Sequence, residues 1–337
     1  MGAGPVTIAV VNTNGRELLA ACLRSLAPEV EAGRAEAWVV DNASSDGSPE
    51  MVEREFPWVN LVASPENLGF PQAANLSADR TTGEWLATAN EDIELTPGAL
   101  ETLLAAAERH PEAAIVAPRL VLPDGSTQHT VYSFPTFLVT AAHHLGLQRL
   151  SRRLGERLCL EGYWDPDRPR RVPWAFAAFV LIRREAFDSV GGFGRDLWMY
   201  ADDLDLAWRL RKDGWSVWYE PAARVIHHGG AATLATFGDA RTATRMAATY
   251  AWMVKRRGLA ITWATAGISY AVVALRRAAL VPLARALPGR FARRAQRTRF
   301  WMSVHREGLR SRGTILAADE RAARALRPLE AERAQDT

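Results

Sequence analysis

Short β-branched runs alternate with longer stretches of helical spacing over the first half of the chain. Residues 6–11 (VTIAVV) are continuously apolar and predict a buried strand, whereas residues 17–27 place Leu18, Leu19, Cys22, Leu23 and Leu26 at the spacing of one helix face. A second strand is predicted over 37–40, ending at Asp41. A helix then opens at Ser48-Pro49-Glu50, with Ser48 as N-cap and proline at the first position. Residues 60–63 predict a third strand, 71–80 a helix and 85–89 a fourth strand that ends at Asn90-Glu91-Asp92. Strands alternating with helices, each strand followed by a polar loop, define an α/β fold with a doubly wound, mostly parallel sheet. The ligand crevice of such a sheet lies at the carboxyl ends of its strands.

The pattern then becomes less regular. A helix is predicted over 96–110, a strand over 115–118 and a tight turn at 122–126, while residues 135–170 read as irregular and Arg/Pro-rich. Strand character returns at 175–183 and a turn follows at 190–193. A helix is predicted over 202–213, and strands over 217–220 and 223–227. Beyond Thr242 the spacing is helical throughout, with breaks expected at Pro282, Pro288 and Gly308.

Composition narrows the class. With 48% apolar and 23% charged residues in 337, the chain is globular, which excludes disorder, collagen-like repeats and coiled coil. The net charge of +3 conceals an asymmetry: residues 1–240 hold 21 Lys and Arg against 32 Asp and Glu (−11), and residues 241–337 hold 20 against 6 (+14). A basic segment of this kind suits nucleic acid, anionic lipid or a phosphorylated substrate, and charge alone does not choose among them. Cys22 and Cys159 form no CxxC pair, so neither a disulfide framework nor a zinc site is expected and a reducing compartment is. No basic n-region precedes the first strand, so no secretory signal is expected.

Candidate chemistry recurs at strand ends: Asp41, Asn90-Glu91-Asp92, Asp202-Asp203-Leu204-Asp205, and His227-His228. In an open α/β sheet these loops converge. Carboxylate oxygen and imidazole together suit Mn²⁺ or Mg²⁺, ions that bridge protein to phosphate. A dinucleotide-dependent oxidoreductase would need G-x-G-x-x-G after the first strand, and Asn12-Thr13-Asn14-Gly15 is no such turn.

Several ordered blocks carry a resemblance. They are Val39-Val40-Asp41-Asn42-Ala43-Ser44-Ser45-Asp46-Gly47-Ser48, Pro65-Glu66-Asn67-Leu68-Gly69-Phe70 with Asn75, Asn90-Glu91-Asp92, residues 179–185 with Val190-Gly191-Gly192-Phe193, residues 199–211 with Gly214-Trp215, and Val225-Ile226-His227-His228-Gly229-Gly230. In them the chain resembles the glycosyltransferase family 2 enzymes of GT-A fold, in particular the rhamnosyltransferase-like branch, over roughly residues 5–232.

The resemblance implies a nucleotide-diphospho-sugar transferase domain at 1–240, with a nucleotide-sugar half at about 5–120 and an acceptor half at about 121–240, followed by a basic helical extension at 241–337. It implies that Asp41 accepts from the imide N–H of uracil or thymine beside Asn12 and Thr13, and that Asp46 and Gly47 hold the turn. Asn67 and Gly69 shape the loop beside the diphosphate and sugar, with Asn90 and Glu91 near it. Asp92 and His227 are the implied ligands of a divalent metal, Mn²⁺ or Mg²⁺. Asp203, second acid of the motif, is the implied general base of an inverting transfer and Asp202 its neighbour on the acceptor side. Trp174, Phe176 and Ala177 fall where the family often carries a Ser-Gly-Ala run, which gives a bulkier, less polar acceptor wall. Glu91 replaces the usual proline, leaving open whether it contacts metal or solvent; for Glu94 solvent is favoured.

The implied reaction moves a sugar, rhamnose from dTDP-rhamnose first, to a lipid-linked or polymeric cell-envelope glycan. A UDP-sugar donor of galactofuranose, glucose or N-acetylhexosamine, and a catalytically silent nucleotide-sugar-binding module, are the alternatives. Nucleic acid is not among the expected partners. Residues 258–275 are uncharged between Arg256-Arg257 and Arg276-Arg277, at the lower limit for a spanning helix. An amphipathic helix on an anionic leaflet fits better, with Trp263 and Tyr270 at the interface. The expected location is therefore cytoplasmic, peripheral at the inner face of the membrane through 242–337; packing on the catalytic domain or on a second copy in a homodimer is the alternative.

Overall fold

The computed structural model describes residues 5–229 and 241–333, so Gly230 of the last motif and residues 334–337 of the basic segment lie outside the described residues. The described chain falls into two compact units. The first runs to Ser133 and resumes at Trp164 through His227, with the residues from Asp319; the second holds Phe134–Tyr163 and the helical chain from Arg241 to Ala318.

The first unit is built on β1 (Val6–Asn12), β2 (Ala35–Asn42), β3 (Asn60–Ser64), β4 (Trp85–Asn90), β5 (Ile93–Leu95), β6 (Ala113–Val121), β7 (Val131–Tyr132), β8 (Arg170–Val172), β9 (Trp174–Ala175), β10 (Phe179–Arg183) and β11 (Ser216–His227). The main sheet has the order β3-β2-β1-β4-β10-β6-β11-β5, with β8 on β11, and β7 pairs β9 separately. From β3 to β4 all pairs are parallel. β10 is inserted antiparallel to both β4 and β6, and β11 is parallel to β6 but antiparallel to β5 and β8. The sheet is thus mixed, with a parallel half that carries the first three βα crossovers.

Helices α1 (Arg16–Glu31), α2 (Ser48–Glu55), α3 (Gly69–Ala78) and α4 (Ala99–Arg109) connect these strands. Ile8, Val10, Val39 and Ala87 from the sheet meet Leu19, Leu23, Leu26, Leu100 and Leu103 from the helices in one core. β1 is buried along its whole length, as its unbroken apolar run requires. α2 differs from expectation at its start. Gly47, in the left-handed conformation, is the N-cap and Ser48 is already helical, its hydroxyl donating instead to Asp46 at 2.6 Å.

The predicted strand at 175–183 is two elements, because the chain leaves the β7–β9 ribbon at Ala175 and enters the main sheet at Phe179. Residues 217–227 form one strand with a register shift between Glu220 and Arg224, which absorbs Pro221.

In the second unit, part of the stretch read as irregular is helical: α5 (Phe137–Leu145), α6 (Leu147–Leu150) and α7 (Arg152–Arg157). Thr136 and Ser151 cap α5 and α7 by accepting from Val139 and Leu154 N–H. Back in the first unit, α8 (Arg184–Ser189) and α9 (Asp202–Lys212) flank residues 190–201; the second unit continues with α10 (Arg241–Arg257), α11 (Leu259–Ala286) and α12 (Pro288–Arg333) as far as Ala318. Two expected helix breaks do not occur. Pro282 sits inside α11, and Gly308 inside α12, where a Cβ would stand 2.8 Å from Cγ of Met246. Gly308 serves close helix approach rather than termination.

Candidate active site

Strand register brings the first group together. Asn12 lies opposite Asp41 in the β1–β2 pair, and Val11 opposite Asn90 in the β1–β4 pair, so all three strand ends reach the same carboxyl edge. Asp41 is buried. It accepts from Asn12 Nδ2 at 2.7 Å and from the Ser44 N–H at 2.8 Å. Asn14 and Ala43 adopt positive φ and turn the two loops toward each other, and the Ser44 hydroxyl accepts from Asn14 N–H while Asn14 Oδ1 accepts from Ser45 N–H. Asp46 accepts from Arg16 N–H and Ser48 N–H, tying the starts of α1 and α2. Thr13 is half-exposed at the rim.

Beside this lies the 67–69 loop. Asn67 accepts from Gly69 N–H at 2.9 Å, and Asn42 accepts from Leu68 N–H. Gly69 (φ +76°) cannot be replaced without collision, since a Cβ there would stand 1.9 Å from the Trp198 carbonyl oxygen. One helical turn on, two buried amides hold the same neighbouring segment. Gln72 Nε2 donates to Gly194 O and Leu197 O, and Asn75 exchanges two hydrogen bonds with the Phe193 backbone. Gln72 was missed in the sequence; its signal is a polar residue one helical turn before Asn75 in the otherwise apolar run Phe70–Ala74.

Antiparallel pairing of β5 with β11 builds the second group. It places His227 opposite Ile93, and the His228 N–H donates to the Asp92 carbonyl. Asp92 and His227 are both buried, with His227 Nε2 3.3 Å from Asp92 Oδ1. On the other side of the ring, Nδ1 is 2.7 Å from Gln128 Oε1. An amide oxygen only accepts, so Nδ1 carries the proton and Nε2 turns its lone pair toward the carboxylate. That nitrogen makes no hydrogen bond among the described residues. An imidazole nitrogen and a carboxylate oxygen facing each other in a buried site fit a divalent cation. Among the described residues no group of three His, Cys, Asp or Glu side chains is placed to hold a metal on its own.

Gln128 was also missed. It follows the 122–126 turn and returns along β6, its N–H donating to Leu120 O, and nothing in the local sequence marks it. His228 points the other way, 2.7 Å from Glu94, so Glu94 is paired rather than simply solvated. Glu91 does not point to solvent: it is buried with its Cγ over Gly15, and burial followed by the charge of Asp92 pushes its carboxyl up to about 8.

The third group is at the start of α9. Tyr200 and Ala201 both hold positive φ, a strained pair of non-glycine residues, immediately before Asp202. The three acids that follow have different surroundings. Asp205 is fully buried and bound by Arg209 at 2.8 Å, a structural pair. Asp202 is buried, and burial followed by the charge of Asp203 holds its carboxyl well above the usual range. Asp203 is half-exposed, accepting from Leu204 N–H at 2.7 Å and from Ala177 N–H at 3.4 Å. The next residue, Ala178, accepts from Asn90 N–H at 2.8 Å. Residues 177 and 178 therefore link Asp203 to the end of β4. Phe176 is half-buried against the core and its N–H donates to Thr130 O; Trp174 stacks on Tyr132, ring centroids 4.9 Å apart.

A carboxyl edge that gathers Asn12, Asp41 and Asn90, with a carboxylate–imidazole pair and a separate half-exposed acid, on a sheet whose parallel half abuts an inserted antiparallel strand, matches the GT-A fold. The model of the family described as "Glycosyl transferase family 2" matches residues 7–191, and the chain belongs to that family. Over 201 residues it is 32% identical to the N-acetylglucosaminyl-diphospho-decaprenol L-rhamnosyltransferase of Mycobacterium tuberculosis, covering 56% of this chain and 65% of that one, just under two thirds of the relative's length. It is 28% identical to the O-antigen biosynthesis protein RfbC of Myxococcus xanthus, over 68% of this chain and 18% of that one. Among solved structures, the mannosyltransferase PcManGT from Pyrobaculum calidifontis, in complex with GDP-Man and Mn²⁺, shares the fold with a TM-score of 0.58 at 19% identity, over 97% of this chain and 87% of that one.

Proposed function

We propose that the chain is an inverting, metal-dependent glycosyltransferase that moves rhamnose from dTDP-rhamnose to a lipid-linked or polymeric cell-envelope glycan at the cytoplasmic face of the membrane. The observation that carries this is the buried Asp92–His227 pair at the carboxyl edge, in the same sheet as Asp41, with residues 177–178 linking Asp203 to Asn90, two residues before Asp92. Asp92 and His227 would hold Mn²⁺ or Mg²⁺, the rest of the ligand set coming from diphosphate and water. When bound, the ion supplies Lewis-acid offset of the charge on the departing nucleoside diphosphate.

The chain's own groups do the remaining work. Asp41, its outer lone pairs directed by Asn12 and Ser44, accepts the imide N–H of the pyrimidine. The 67–69 loop, fixed against Trp198, borders the sugar. Asp203, half-exposed beside a buried Asp202 whose carboxyl is held above the usual range, takes the proton of the acceptor hydroxyl as it attacks the anomeric carbon. Support for the rhamnose donor and the polyprenyl-linked acceptor comes from the named activity of the mycobacterial relative. The Mn²⁺ in the PcManGT complex agrees with the cation. The +14 segment 241–337 suits an anionic leaflet, each basic residue near the surface contributing about 1 kcal/mol.

The donor is tested by thermal shift with dTDP-rhamnose, UDP-glucose, UDP-galactose and GDP-mannose, each with and without Mn²⁺. The proposal expects the largest Mn²⁺-dependent stabilisation from dTDP-rhamnose; a preference for GDP-mannose would refute the assigned role of Asp41.

A further inference from the structure

The second unit is polar where it should be apolar. Along α11 the buried positions are Thr262, Thr265, Ala266, Ser269 and Val273, one face at three- and four-residue spacing, and this face packs within the unit. The remaining sides of the helix expose Ile261, Trp263, Tyr270 and Leu275, the last 70% exposed, with the Arg312 guanidinium over the Trp263 ring. Thr262 and Ser269 satisfy their hydroxyls on the carbonyls four residues back, Gly258 and Thr265, so the buried face does not depend on polar partners from other helices. A water-soluble helix shows the reverse distribution. Small and hydroxylated residues inside with large apolar residues outside is how a helix packs when its surroundings are hydrocarbon.

The neighbouring helix repeats the feature. α5 packs along α11, has no buried residue, and exposes Leu138 (77%) and Leu145 (68%), seven residues apart and therefore on one face. Among the described residues every large apolar side chain that stands exposed belongs to this unit. The uncharged stretch of α11 is bracketed by Arg256-Arg257 and Arg276-Arg277, the arrangement that sets an apolar face between lipid phosphates.

We infer that the outward faces of α5 and α11 together form a lipid-inserting surface, with an anionic bilayer as its occupant. This rests on the membrane-surface reading above and deepens it: residues 137–145, outside the basic segment, belong to the anchor, and apolar insertion rather than charge alone holds it.

The test is co-sedimentation of the full chain with phosphatidylglycerol-containing vesicles and with phosphatidylcholine vesicles, at low and high salt. Wild type should bind the anionic vesicles and remain partly bound at high salt, since insertion is not screened. Leu138→Glu/Leu145→Glu, with the basic segment intact, and Trp263→Glu/Leu275→Glu should each lower partitioning at least about tenfold. Ala32→Glu/Ala222→Glu, exposed positions of the first unit carrying the same added charge, should not. Circular dichroism and the milder Leu138→Ala/Leu145→Ala pair control for folding. Anionic binding abolished by high salt, or unchanged in Leu138→Glu/Leu145→Glu, would overturn insertion while sparing the electrostatic reading; no vesicle binding at all would remove both. Loss of a dimer in the Glu variants without loss of vesicle binding would assign the surface to a second copy instead.

Discussion

Gln128 fixes the tautomer of His227. Its Oε1 lies 2.7 Å from Nδ1 and leaves Nε2 facing Asp92, although the two residues are 99 positions apart in sequence. If that lone pair binds the cation, Gln128→Leu should weaken Mn²⁺ binding in the presence of nucleoside diphosphate by about 10–100-fold, as loss of such outer partners typically does. Gln128→Glu, which also accepts from Nδ1–H, should retain most of the affinity. Titration calorimetry decides it; wild-type affinity in Gln128→Leu would show that the contact is only structural.

The three acids of α9 should separate by their surroundings. Asp203→Asn should lower transfer by about 10²–10⁴-fold with donor affinity retained. Asp205→Asn breaks a buried pair with Arg209 and should cost about 3–5 kcal/mol of stability in a denaturant titration. Asp202→Asn, removing a carboxyl whose burial disfavours its charge, should do neither to the same degree. Full activity in Asp203→Asn would exclude it as the base.

Asp41 is tested by reversing one lone pair. Asp41→Asn keeps the shape but turns an amide N–H₂ toward either the imide N–H or its own partners Asn12 and Ser44. Uridine and thymidine diphosphate affinity should fall at least about tenfold. Unchanged binding would place the base elsewhere.

Two glycines with similar φ give a matched comparison. Gly33 (φ +68°) has open space where a Cβ would stand, so Gly33→Ala should cost only the left-handed strain, about 1–2 kcal/mol. Gly69→Ala adds a collision with the Trp198 carbonyl and should cost clearly more, with donor affinity falling alongside. Equal melting temperatures for the two variants would show that the 67–69 loop is not pinned against Trp198.

Much of the fold was legible because β1 and β4 are buried almost throughout and read as unbroken apolar runs, with the polar helical spacing between the strands marking the crossovers. The strand-end residues Asp41, Asn90 and Asp92 were legible for the same reason: polarity begins abruptly where the strand stops. Gln128 was not, because its role is defined by a register between β11 and β5 and a return along β6, which local sequence does not encode. The insertion of β10 antiparallel between β4 and β6 was equally hidden, since an apolar run does not reveal its direction. Helix α5 escaped because its large apolar residues face outward, which erases the one-sided periodicity by which helices are found, and α6 and α7 because four and six residues are too short to show a period. Gly308 misled for a related reason, as close helix packing and helix termination use the same residue.

The account stands most directly on one reaction. The full chain is incubated with dTDP-rhamnose, Mn²⁺ and a polyprenyl-diphospho-N-acetylglucosamine acceptor, and both dTDP release and sugar on the lipid are measured. The expected result is equal amounts of the two products, lost on chelation, restored by added Mn²⁺, and absent in Asp92→Asn despite a native fold. Turnover that survives chelation and Asp92→Asn would contradict the assignment of the Asp92–His227 pair and with it the proposed chemistry.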